Sequence, residues 1–184
     1  MEPVEPEGIR PVVASALAAM WPVPYNEARL TWREVRLADV RSIVHVARRQ
    51  RLDSAEELLQ LYRGAQTAPY VPVRLVGQGE RSFLVPPVAE EHGTHLVLID
   101  GVHRLLAAHR AGIRHVRLFV VSGELPTPPG DVCALGDIGL SSEHRPPEMM
   151  FRNLRPEVFR RVGDAGGLEA AVRRELRRRP GEGT

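Results

Sequence analysis

Residues 95–121 read HLVLIDGVHRLLAAHRAGIRHVRLFVV, and few local structures accommodate that order. The unbroken apolar run over residues 96–99 fits a strand inside a sheet. Asp100-Gly101 interrupts it, and Leu105, Leu106 and Ala108 then supply one face of a helix that Gly112 ends. A second strand follows, to Val121. A helix leaving a strand through so short a turn directs its unpaired N–H groups, and the positive end of its dipole, above the sheet edge. Gly101, Val102, His103 and Arg104 therefore mark an anion site, with phosphate the expected ligand.

Composition narrows the chemistry. All 25 basic residues among 184 are arginine. Without lysine, a Walker-type phosphate loop, a kinase-type strand lysine and Schiff-base catalysis are all excluded. The formal net charge of +2 does not call for nucleic acid, although Arg173, Arg174 and Arg177 to Arg179 concentrate charge near the C-terminus. Cys133 is the only cysteine, which rules out an intrachain disulfide and cysteine-based zinc clusters and fits a reducing, cytoplasmic location. The apolar stretch 12–20 is too short to span a membrane. His92 and His95, and His103 and His109, lack metal-ligand spacing, so no metal site is expected.

Four regions follow: a leader with a short helix over 1–30, a core over 31–124, a Pro/Gly-rich loop over 125–150, and a basic helical extension over 151–184. Residues 1–10 read as a mobile leader, with the helix at 11–21 ended by Pro22, Pro24 and Asn26. Residues 31–40 and 71–76 read as strands, with a turn at 77–80 and a further extended segment at 81–88. Asp53-Ser54 followed by Glu56 and Glu57 reads as the start of a helix running to Gly64. The loop is long enough to close over a substrate. Helical periodicity returns over 156–179, broken at 163–167, with Leu168, Val172 and Leu176 on one face.

This element order, with Asp100-Gly101-Val102-His103-Arg104 at the turn, resembles the ParB/sulfiredoxin-like superfamily over roughly residues 32–121. The resemblance implies an α+β fold, a mixed sheet with packed helices, carrying helical N- and C-terminal extensions. It is closest locally to the Asp-Gly-x-His-Arg branch that includes free-serine kinases. Val102 stands where sulfiredoxins carry their catalytic cysteine, so that activity is not implied. No downstream helix-turn-helix region of the chromosome-partition kind is expected after Val121.

The resemblance implies a nucleoside tri- or diphosphate with Mg²⁺, its phosphates on Gly101, Val102, His103 and Arg104, bordered by the cluster Arg48, Arg49 and Arg51. His45 falls near the position of that branch's catalytic glutamate. Asp100 reads either as a carboxylate that aligns an acceptor hydroxyl or binds Mg²⁺, or as a turn residue, and His103 either as a phosphate donor or as packing. Two functions stay open. One is a phosphotransferase or nucleotide hydrolase acting on a small hydroxylated metabolite, with Asp100, His103 and His45 as catalytic candidates. The other is a nucleotide-sensing or DNA-associated module without catalysis, using the arginine tail on phosphate backbones.

Overall fold

The strand His115–Ser122 divides the core in two. Val116, Leu118 and Val120 point to one face of the sheet, while Phe119 and Val121 point to the other, and all five are buried. A strand buried on both faces must lie between two layers, and here both layers are helical. The computed structural model describes residues 1–20, 25, 27–76, 81–143, 145–160 and 167–178.

In chain order the elements are β1 (Glu2–Pro3), α1 (Pro6–Ala18), β2 (Arg29–Arg36), β3 (Val40–Ser42), β4 (Val46–Arg48), α2 (Arg49–Gly64), β5 (Val73–Val76) and β6 (Arg81–Leu84). Then come β7 (Val88–His92), β8 (His95–Asp100), α3 (Val102–Arg110), β9 (His115–Ser122), β10 (Cys133–Ala134), β11 (Gly139–Ser141), α4 (Pro147–Met150) and α5 (Leu168–Arg178). The main sheet is mixed and six-stranded, in the order β10-β3-β8-β7-β9-β2. Its β3/β8 and β7/β9 pairs are parallel and the others antiparallel. Helices α2 and α3 pack on the face of Val40, Leu96, Leu98 and Leu118, and α1 and α5 on the face of Leu30, Val88, Phe119 and Val121. The class is α+β, as expected.

Several boundaries differ from the sequence reading. The first ten residues are not a free leader: β1 pairs antiparallel with β5, and Val4 N donates to Pro72 O at 2.9 Å. Helix α1 starts at Pro6, a position where proline loses no helix bond, and keeps Pro11 inside. Its buried stripe is Ile9, Val12, Val13, Ala16 and Leu17, and burial of that stripe outweighs the proline defect. Helix α2 starts at Arg49, not Asp53, and Ser54 Oγ donates to Gln50 O at 3.1 Å within the helix, so it caps nothing. Residues 81–88 divide into β6 and β7 around Pro86-Pro87.

The 125–150 segment is not free to close over a ligand. Strand β10 pairs with β3, β11 runs parallel to β4, and Leu135 and Ile138 are buried beneath α3 and β3. Expectations at Pro22, Pro24, Asn26, residues 77–80, residues 163–166 and Arg179 lie outside the described residues. Among the described residues no helix is long and apolar enough to cross a membrane.

Candidate functional site

Strand β8 ends at Asp100, and the chain turns into α3 through Gly101 at φ 96°. Only glycine suits this turn, because the conformation is left-handed and a Cβ would lie 2.7 Å from Pro87 Cβ. Gly101 caps with no side chain, so the first N–H groups of α3, at Val102, His103 and Arg104, have no acceptor within the helix. These three residues help line a cavity of about 390 Å³. Its polar lining includes Arg51, Asp100, His103, Arg104, Glu169 and Arg173. Its apolar lining includes Phe151 and Phe159, which meet edge to face at 5.5 Å between ring centroids. A wider space of about 960 Å³ adjoins it along α5 and shares Arg51, Asp100, Phe159, Glu169 and Arg173.

Three residues lining this cavity each hold a buried nitrogen without a hydrogen-bond partner among the described residues: the guanidinium donors Arg104 Nη2 and Arg173 Nε, and the ring nitrogen His103 Nε2. Arg104 is only 7% exposed. Its Nη1 donates to Val85 O, while Nη2 stands 3.4 Å from Glu169 Oε2 and 3.6 Å from Asp100 Oδ1. Those distances give charge attraction without the alignment of a hydrogen bond. The pKa of His103 is pushed down to about 4, first by burial and next by the guanidinium groups of Arg51 and Arg48, against the opposing pull of Asp100. At neutral pH the imidazole is therefore uncharged.

The expected residues separate into those the fold assembles and those it does not. Asp100, Gly101, Val102, His103 and Arg104 line the cavity together. Asp100 is already engaged: Oδ2 accepts the Glu169 N–H at 2.7 Å and so caps α5. His45 lies elsewhere, lining a separate cavity of about 500 Å³ with Cys133, its Nε2 3.1 Å from Asp131 O. Arg49 is exposed and lines neither space beside α3, and Arg48 reaches His103 only through its field.

The arginine that does line the cavity is Arg51, with Ser54, Ala55 and Leu58 on the same face of α2. That spacing was readable once the helix is known to start at Arg49. Glu169 and Arg173, one turn apart on α5, carried no signal beyond an ordinary helical ion pair at 2.6 Å. The C-terminal charges are thus partly spent within the fold, since Leu168 and Val172 bury α5 against α1.

The fold and site together define an α+β protein with an arginine-lined cavity at the mouth of a strand–turn–helix unit. No family model and no curated protein matches the sequence. Among solved structures it is similar to the crystal structure of protein Atu1540 from Agrobacterium tumefaciens, at a TM-score of 0.31 and 11% identity. That likeness covers 51% of this chain and 39% of the other, and it is too slight to carry an argument.

Proposed function

We propose that this protein binds a nucleotide through its phosphates at the N-terminal turn of α3, on a sheet of the ParB/sulfiredoxin-like kind. The observation that carries the reading is that His103, Arg104 and Arg173, which line one cavity together, each hold a buried nitrogen without a partner among the described residues. Buried guanidinium donors are nearly always satisfied, so Arg104 and Arg173 beside His103 suit an acceptor-rich ligand. The helix N-terminus and Arg51 add to that demand, and the Phe151–Phe159 pair offers an apolar surface to a base. Asp100 and Glu169, the carboxylates on this wall, both face Arg104 and do not make a ready Mg²⁺ site.

A second reading, phosphoryl transfer or hydrolysis, is favoured by one feature. His103 is neutral, with an unpartnered Nε2 at the cavity, and in that form it can accept a proton from a hydroxyl or water. With Asp100 capping α5 and His45 outside the cavity, binding stands ahead of catalysis.

The test is calorimetric titration of ATP, ADP, CTP and GTP, with Mg²⁺, into wild type and Arg51→Ala. Arg104→Ala is a poor probe, because it would leave Asp100 and Glu169 facing each other without their cation. Saturable binding of one nucleotide, weakened about tenfold or more in Arg51→Ala, is the expected result. No binding by any of the four overturns the reading. Phosphate release that falls in His103→Gln at unchanged affinity would establish turnover.

A further inference from the structure

We infer that Glu169 is an internal rival for the ligand's anionic group, so that ligand entry expels its carboxylate from Arg104. The inference rests on the phosphate reading of the cavity and names what sets its affinity and specificity. Glu169 Oε2 lies 3.4 Å from Arg104 Nη2, and Glu169 Oε1 accepts from Arg173 Nη2 at 2.6 Å. One carboxylate thus bridges two guanidinium groups on the cavity wall, as two oxygens of a phosphoryl group would. The substitution is imperfect, since Arg104 Nη2 and Arg173 Nε still lack hydrogen-bond acceptors among the described residues.

The two sides differ in mobility. The Arg104 side chain is 9% exposed and fixed through Val85 O, whereas the Glu169 side chain is 28% exposed and borders the wider space along α5. Glu169 can therefore turn into solvent while Arg104 stays. Helix α5 keeps its place meanwhile, because Leu168 and Val172 are buried against α1 and the Asp100 cap is made to the Glu169 backbone N–H, not its side chain. A ligand must offset the Glu169–Arg104 attraction to enter. This selects a group with two or more negative charges and several oxygens, a pyrophosphoryl group over a monocarboxylate.

The test compares wild type, Glu169→Gln and Glu169→Asp by calorimetric titration with inorganic pyrophosphate and with the four nucleotides at fixed salt. Glutamine keeps the size and an acceptor for Arg173 but removes the rival charge. Aspartate keeps the charge but draws it back by one methylene. Expected is about a tenfold tighter affinity in Glu169→Gln, with Glu169→Asp between it and wild type. Equal or weaker binding by both folded variants, with wild-type binding intact, overturns the rivalry and leaves the phosphate site standing. No binding of pyrophosphate or any nucleotide by any of the three overturns the phosphate reading and this inference with it.

Discussion

At the scale of single residues, Gly101 and His103 show how one turn serves both the fold and the site. Gly101→Ala places a Cβ 2.7 Å from Pro87 Cβ, on backbone already in the left-handed region. The loss is expected to be about 2–4 kcal/mol, read as a lower urea midpoint at unchanged slope. His103 supplies a pH signature. Its imidazole titrates near 6.5 when unfolded and near 4 when folded. Between those values the unfolded chain holds the extra proton, so stability is full above 6.5 and falls as the pH drops toward 4. His103→Gln removes this contribution. Its melting temperature should fall less than that of wild type between pH 7 and pH 4.5, with the carboxylate contributions common to both. Parallel declines would show that the histidine is not held neutral.

At the scale of elements, the N-terminal strand is the sharpest departure from what the sequence suggests. Deleting residues 1–4 removes β1 from the edge of β5 and the Val4–Pro72 bond. The expected cost is about 1–2 kcal/mol, roughly 2–8 °C in Tm, where a free leader would cost nothing. Legibility followed the reach of the interactions. The β8–α3–β9 unit was readable because an apolar run, a glycine turn and a helical stripe lie consecutively, and Gly112 ends α3 at φ 73° as its position suggested. Strand order was not readable, because β7 sits between β8 and β9 through pairings invisible to periodicity. Asp53-Ser54 misled because a capping pair and a mid-helix back-bonding pair look alike in sequence. Asp100 and Arg104 line one cavity, as their adjacency suggested, yet their partner Glu169 lies 69 residues from Asp100 in the chain.

At the scale of the whole molecule, distant segments are joined by a buried polar network that no motif announces. Glu90 on β7 is 2% exposed, and nothing in Val-Ala-Glu-Glu-His distinguishes it from Glu91. Arg160 Nε and Nη2 donate to its two oxygens at 3.0 and 3.1 Å, Tyr25 OH donates to Oε1, and His92 Nε2 lies 2.7 Å from Oε2. Burial and the Glu90 carboxylate raise the Tyr25 pKa above its usual value, which keeps this hydroxyl a donor. Arg160 also donates to the carbonyls of Pro126, Thr127 and Val158, so one side chain ties the segment after β9 and the C-terminal segment to the middle of the sheet. Arg160 borders the wider space beside the cavity at the start of α3, and its loss should loosen that wall as well as the fold. Arg160→Met leaves Glu90 charged and buried, at an expected cost of about 3–5 kcal/mol in urea denaturation at pH 7. Glu90→Gln alone strands the guanidinium and should cost about as much. The double variant removes both charges, so its loss should fall well short of the sum, with a coupling of about 1–3 kcal/mol. Additive losses would mean that Glu90 and Arg160 act separately and that the network is not what joins these distant segments to the sheet.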